Sequence, residues 1–108
     1  MENLRKQFDA FVFACELMKY KVNVMNHIPC IMESNFYEDY NWFCAAFMTD
    51  KFGGIAAIIK YYDNKWFVNE EEVPSMADAL SRVPELMADL YSKRDLDEIY
   101  TFVNAEYD

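Results

Sequence analysis

The sequence predicts an α+β fold, with an N-terminal helix, an antiparallel β-meander of three to four strands and two to three C-terminal helices. Three features of the chain indicate this fold. Apolar residues recur at helical spacing near the N-terminus, two apolar runs joined by a glycine-containing turn follow, and helical spacing returns in the last third. With 108 residues and 54% hydrophobic content, the chain can bury one core, so we expect a single domain over residues 1–108.

The first element is an amphipathic helix of about five turns. Its apolar positions are Leu4, Phe8, Phe11, Val12, Cys15, Met18 and Val22. Most of the charged side chains fall elsewhere around the helix, as expected when one face packs against a core.

An edge strand is the best interpretation of Ile28–Glu33. Pro29 has no backbone N–H to donate, and it therefore disfavours both a helix interior and a central strand. The segment that follows, Asn35–Asn41, carries Glu38 and Asp39 at its centre and is predicted to be a loop.

Two apolar runs, Trp42–Thr49 and Ile55–Tyr62, form the predicted centre of the sheet. Both runs are apolar on both faces of the pleat, which is typical of strands that are covered on both sides. The paired glycines of Asp50–Gly54 supply the backbone conformations that a tight turn between antiparallel strands needs.

A fourth strand is predicted for Lys65–Asn69, because a turn at Asp63–Asn64 returns the chain along the preceding strand. Four aromatic residues flank this turn, and we expect them to pack as cross-strand neighbours. They are Tyr61, Tyr62, Trp66 and Phe67.

Helices are predicted for the C-terminal third. Ser75 and Asp78 have the spacing of a capping box, and Asp95 and Glu98 repeat that spacing before a further apolar stripe. Pro84 either kinks one helix or begins a new one. The side chains predicted to form the core are Phe8, Val12, Cys15, Phe43, Ala45, Phe47, Ala57, Ile59, Leu80, Met87 and Ile99.

The net charge of −9 is unevenly distributed along the chain. Residues 1–54 contain seven acids and five bases, whereas residues 55–108 contain twelve acids and five bases. Such a chain lacks the basic surface that faces phosphates, which argues against direct binding of nucleic acid. The charge suits a basic protein partner, or it only keeps the protein soluble.

The three cysteines, Cys15, Cys30 and Cys44, form an odd set without paired spacing and lie among apolar residues. We therefore expect buried free thiols in a reducing compartment. Neither a signal peptide nor an apolar run of membrane-spanning length is recognisable, so a cytoplasmic location is expected.

No catalytic residue, metal ligand or cofactor is predicted. His27 and Cys30 point to opposite faces of an extended segment and supply too few ligands for zinc. Asp50, Asp63 and Lys65 faintly resemble the acids and lysine of metal-dependent nucleases. However, turn preference explains Asp63, and the charge of the chain would repel a polyanionic substrate. We therefore expect a protein that is not an enzyme.

An acidic row is the strongest candidate for a partner-binding site. Adjacent like charges gain nothing for folding, and the row follows a strand at a connection, where binding residues are often placed. Carboxylates four and seven residues apart also project on one side of a continuous helix. The predicted partner-binding residues are Glu70, Glu71, Glu72, Asp78, Glu85 and Asp89. The alternative is an acidic face that is only solvated.

The short length, acidity and high aromatic content resemble the small acidic inhibitors that phages and mobile elements encode against restriction and CRISPR systems. That resemblance implies a non-enzymatic inhibitor that presents its acidic surface to a basic nucleic-acid-handling defence protein in the host cytoplasm. One form of such an inhibitor is a DNA mimic. The chain is also similar in type to type III secretion chaperones, which are small, acidic and open with a helix and a meander. That second resemblance implies an adaptor that holds a partner segment, or forms a homodimer, through apolar surface. The candidate apolar residues are Phe36, Tyr37, Tyr40 and Trp42.

Overall fold

The computed structural model describes residues 2–49 and 54–92. It shows an N-terminal helix, a five-stranded antiparallel sheet and a C-terminal helix in two joined pieces, which confirms the predicted α+β fold. The elements are α1 (Glu2–Val24), β1 (Ile31–Tyr37), β2 (Trp42–Thr49), β3 (Gly54–Tyr62), β4 (Lys65–Val68), β5 (Glu71–Val73), α2 (Met76–Ser81) and a second helical piece at residues 83–92. Residues 50–53 of the predicted turn, and the helix predicted from Asp95 with its core residue Ile99, lie outside the described residues.

The strands form a simple meander in which each strand pairs antiparallel with its neighbours in sequence. The bounds of β2, β3 and β4 agree with the prediction to within one residue. The edge position of β1 is also confirmed, but this strand begins at Ile31 and runs through Tyr37 into the predicted loop. Phe36 and Tyr37 pair with Phe43 and Trp42. These aromatic cross-strand contacts extend β1 into the segment that was predicted to be a loop.

Strand β5 was missed, because its acidic residues have low strand propensity. It pairs with β4 through a two-residue turn at Asn69 and Glu70, whose φ angles are 48° and 71°. Two consecutive left-handed residues match the twist of a hairpin. Glu70, Glu71 and Glu72 are therefore part of a hairpin and an edge strand, and the expectation that these three residues form a strand-to-helix connection is wrong.

The four aromatic residues that flank the turn at Asp63 and Asn64 are divided between the two faces of the sheet. Tyr61 and Trp66 are paired across β3 and β4 with ring centroids 4.7 Å apart, as predicted. Tyr62 and Phe67 instead lie opposite Lys65 and Lys60 on the other face.

The core lies between one face of the sheet and the helices. The predicted core residues that are buried are Cys15, Phe43, Ala45, Phe47, Ala57, Ile59, Leu80 and Met87. Phe8 is half-buried and packs against this cluster, whereas Val12 is half-buried and lies outside it. Phe11, which is fully buried, takes the inward position, with its ring centroid 5.2 Å from that of Phe43.

Asn23 joins the end of α1 to the start of the sheet. Its side-chain Nδ2 donates to the carbonyl of Cys30 at 3.0 Å, and its Oδ1 accepts from the Cys30 N–H at 2.7 Å. The amide thereby satisfies both backbone groups of a residue just before an edge strand.

Ser75 is confirmed as the N-cap of α2, and Asp78 pairs with its side chain in a variant of the predicted capping box. The Asp78 N–H donates to Ser75 Oγ at 3.1 Å, and that hydroxyl donates to the Asp78 carboxylate at 2.9 Å. Arg82 then joins α2 to the second helical piece. Pro84 falls in the first turn of that piece, where its missing N–H needs no partner.

The other face of the sheet is not covered by any described element. Along β2, exposure alternates strictly, with Phe43, Ala45 and Phe47 buried beneath the helices and the intervening residues only half-buried. The expectation that the central strands are covered on both sides is therefore wrong for the described part of the chain. No described helix combines the length and apolarity needed to cross a membrane.

Candidate partner-binding surfaces

The uncovered side of the sheet, here called the open sheet face, combines apolar and charged side chains. Strand pairing places on it Ile31, Glu33, Asn35, Tyr37, Trp42, Cys44, Ala46, Met48, Ile55, Ile58, Lys60, Tyr62, Lys65, Phe67 and Glu72. Ile55, Ile58 and Tyr62 are 54%, 42% and 51% exposed. An apolar group of this kind, on a face that no element of the described residues covers, is typical of an interaction surface.

A β-bulge in β3 directs the two isoleucines outward. Ala56 and Ala57 are both buried, and the pairing register with β2 shifts at this point, so Ile55 and Ile58 lie on the same face. Asn69 supports the bulge, because its Oδ1 accepts from the Ile58 N–H at 2.9 Å and its Nδ2 donates to the Ala56 carbonyl at 3.1 Å. Bulges commonly re-aim side chains in this way.

Aromatic rings occupy the other end of the open sheet face. Tyr37 stacks on Trp42 with ring centroids 4.3 Å apart, and Lys60 Nζ lies 5.9 Å from the Trp42 ring and 5.5 Å from the Phe67 ring. These contacts hold the rings in place while they remain accessible. Beside them is a pocket of about 230 Å³, lined by Trp42, Cys44, Ile58, Lys60, Asn69 and Glu70.

The apolar residues predicted to bind a partner divide between surface and core. Tyr37 and Trp42 lie on the open sheet face, and Tyr40 is 73% exposed in the 3₁₀ turn between β1 and β2. Phe36 points to the core, with its ring centroid 5.0 Å from that of Phe8. Phe36 is therefore a packing residue.

The three adjacent glutamates do not form one surface. Glu71 and Glu72 are consecutive in β5 and point to opposite faces of the sheet. Glu72 lies opposite Phe67 on the open sheet face, whereas Glu71 Oε2 is 3.1 Å from Arg82 on the helical side. Glu70 lines the pocket.

The remaining predicted carboxylates lie on the helices. Asp78 belongs to the capping box at Ser75, and Glu85 and Asp89 are exposed on the second helical piece. Because Arg82 interrupts the helix, Asp78 is not on the same continuous helix as the other two. The structure therefore brings Glu70 and Glu72 to the border of the open sheet face and leaves the other four carboxylates on the helical side.

The weaker sequence candidates are not assembled into sites in the described residues. His27 is exposed with a φ of 58°, while Cys30 is buried. No group of three metal-ligating side chains occurs among the described residues. Asp63 is exposed in the hairpin turn with a φ of 54°, and Asp50 lies outside the described residues.

The thiols are poor nucleophiles at neutral pH. Burial raises the pKa of Cys15 to about 12 and that of Cys30 to about 11. Burial also raises the pKa of Cys44, although nearby Lys60 opposes the rise. All three are free, and the prediction of buried thiols holds for Cys15 and Cys30, whereas Cys44 is half-buried on the open sheet face.

A second apolar surface, here called the helix stripe, lies on the outer side of α1 and was missed by sequence reasoning. It consists of Phe13, Leu17, Tyr20 and Val24, which are 68%, 57%, 63% and 48% exposed. Their spacing of four, three and four residues can be read from the sequence. The sequence prediction used only the longer apolar stripe of α1, which packs on the sheet.

Comparison with known protein families, curated proteins and solved structures gives no significant match. The functional argument therefore depends on the surfaces themselves.

Proposed function

We propose that this chain is a non-enzymatic binding protein that holds an apolar, positively charged segment of a partner protein against the open sheet face. The observation that carries this proposal is the exposure of Ile55, Ile58 and Tyr62 on a sheet whose opposite face is fully packed. In a chain of net charge −9, a face with this apolar content is better explained by binding than by solvation.

The chemistry of the partner follows from the arrangement of charge. Glu33 lies on β1, and Glu70 and Glu72 lie at the far edge, so carboxylates border both sides of the centre of this face. That centre is apolar apart from Lys60, whose ammonium group is held against the Trp42 and Phe67 rings. The pocket beside Trp42 accepts one apolar side chain, and the carboxylates at the border pair with lysine or arginine on either side of it. This arrangement supports the adaptor function more directly than a surface that is only acidic.

A selection from a random peptide library provides a test that does not require the natural partner. We expect peptides selected on the wild-type protein to contain apolar residues flanked by lysine or arginine. Ile58→Lys should weaken their binding at least tenfold, because it places a charge in the apolar centre. Leu17→Lys is the matched control, since it makes the same kind of change on the helix stripe and should leave peptide affinity unchanged.

Cys44 provides a second readout within the pocket. A bound peptide should slow alkylation of this thiol by iodoacetamide at mildly alkaline pH, where more of the thiol is ionised, with the extent of modification measured by mass spectrometry. Peptides that bind equally well to the Ile58→Lys variant, or that leave Cys44 alkylation unchanged, would show that the open sheet face is not the binding site.

An acidic inhibitor of a nucleic-acid-handling protein is the second candidate function. It is supported by the predicted carboxylates, of which only Glu71 forms an ion pair within the described residues. The others are exposed and leave their charge available to a basic partner. Purified restriction and CRISPR nucleases are the appropriate probes, with DNA cleavage measured at low and moderate salt.

Replacing Glu70, Glu71 and Glu72 by Gln should slow association with an inhibited nuclease more than it speeds dissociation, because long-range charge acts mainly on encounter. The melting temperature should stay within a few degrees, since exposed charges contribute little to stability. The triple variant Glu38→Gln, Asp39→Asn and Asp63→Asn removes the same charge elsewhere and is the control. Equal association rates for the two triple variants would show that Glu70, Glu71 and Glu72 form only a solvated surface.

A further inference from the structure

The helix stripe lies on the side of α1 that faces away from the core. At 3.6 residues per turn, its four residues fall within an arc of about 60°, nearly opposite Phe11, Cys15 and Val22. Those three residues are fully buried against the sheet. Helix α1 is therefore apolar on two opposite faces, of which the described residues bury one.

A surface helix that only supports its own domain is expected to be polar on its outer face. The stripe instead exposes Phe13, Leu17 and Tyr20 by more than half, and among the described residues none of its members belongs to the core cluster or packs against it. It extends over about 17 Å, since a helix rises 1.5 Å per residue.

Its spacing is that of a coiled-coil seam. Phe13, Leu17, Tyr20 and Val24 alternate in steps of four and three, which corresponds to the d and a positions of successive heptads. Ala10, three residues before Phe13, continues the seam by one position.

The charges beside the seam fit a second copy of this chain. Glu16 occupies the g position on one side and Lys21 the e position on the other. In a parallel pair of helices, a g residue faces the e residue that follows five positions later on the partner. Glu16 would therefore face the partner's Lys21, and two-fold symmetry would form this pair twice.

An antiparallel arrangement lacks this complementarity. There, g positions face g positions and e positions face e positions, which sets Glu16 beside the partner's Asn23 and Lys21 beside the partner's Ala14. In the single chain, Glu16 is 3.1 Å from Lys19, but this pair is exposed and can be exchanged for an intermolecular one.

We propose that the helix stripe is a self-association surface through which two copies of this chain form a parallel dimer. The four residues of the stripe are far fewer than the roughly 20–30 per side of a standard interface, so we expect a weak dimer that forms only at high protein concentration. This proposal does not depend on the binding role of the open sheet face.

Sedimentation equilibrium of the full chain from roughly 1 µM to 1 mM, the range over which a weak dimer dissociates, tests the proposal. We expect a monomer–dimer equilibrium in the wild type and a monomer for Leu17→Lys or Tyr20→Lys. Both side chains are exposed, so the variants should keep the wild-type circular dichroism spectrum and melting temperature. Ile55→Lys, on the open sheet face, is the matched control and should dimerise normally.

Charge reversal tests the parallel orientation. Glu16→Lys and Lys21→Glu should each raise the dissociation constant about five- to tenfold, because each sets like charges against one another twice. An equimolar mixture of the two variants should form a heterodimer tighter than either homodimer. A wild-type monomer at the highest concentration, dimers that tolerate both stripe variants, or a mixture no tighter than the single variants would each overturn the proposal.

Discussion

Phe43→Ala is expected to lower the free energy of unfolding by about 3–5 kcal/mol, the range found when a large core aromatic is truncated. Phe43 is fully buried at the centre of an aromatic cluster. Its ring centroid lies 5.1–5.8 Å from those of Phe8, Phe11, Tyr61 and Trp66. Truncation therefore leaves a cavity between rings that come from one helix and two strands, and these cannot all move to fill it.

Urea denaturation followed by circular dichroism measures this loss. Tyr40→Ala is the control, because Tyr40 is an aromatic residue of similar size that is 73% exposed, and its truncation should change stability by no more than about 0.5 kcal/mol. Similar losses for the two variants would show that Phe43 does not organise the core.

The second large effect is expected at alkaline pH, where the protein should lose stability as the unfolded chain ionises its thiols. Burial raises the pKa of Cys15 from 9.0 to about 12. Below about pH 9, the pKa of the thiol in the unfolded chain, both the folded and the unfolded states hold the proton. The stabilising effect of burying the neutral thiol is then fully present. Between about pH 9 and 12 the unfolded state releases the proton and the folded state does not, so stability falls as pH rises. The three-unit difference corresponds to a loss on the order of 4 kcal/mol.

Denaturation curves of wild type and Cys15→Ala between pH 7 and about pH 11 isolate this contribution. The variant loses some packing at all pH values, but the difference between the two proteins should shrink above pH 9 by up to about 1.4 kcal/mol per pH unit. Cys44→Ala is the control, since this thiol is half-buried and near Lys60. Parallel profiles for wild type and Cys15→Ala would contradict burial of an un-ionised thiol.

The two proposed surfaces lie on opposite sides of the sheet, one on its open face and one on the outer side of α1. A parallel dimer through α1 would leave both open sheet faces directed outward. Such a dimer would hold two partner segments at once, and linked binding would raise the overall affinity for a partner that carries two such segments.

The elements with strong periodicity were predictable from the chain. The seven apolar positions named between Leu4 and Val22 predict α1, because only a helix places them on one side. The apolar run of Trp42–Thr49 predicts β2, because it ends at turn residues. Ser75 and Asp78 likewise determine where α2 begins, since their hydrogen bonds are local.

Long-range contacts decided the rest. Glu71–Val73 becomes a strand because β4 offers it an unpaired edge, and this pairing turns Glu71 and Glu72 to opposite faces and divides the acidic row. The bulge at Ala56, held by Asn69 from the far side of a turn, directs Ile58 outward. A strand sequence that is apolar on both faces shows only that neither face carries charged side chains. Whether the second face is buried depends on where the helices pack. In the described residues α1 contacts β1 and β2, and α2 contacts β4 and β5. The alternating burial along β2 shows that this packing covers one face of the sheet.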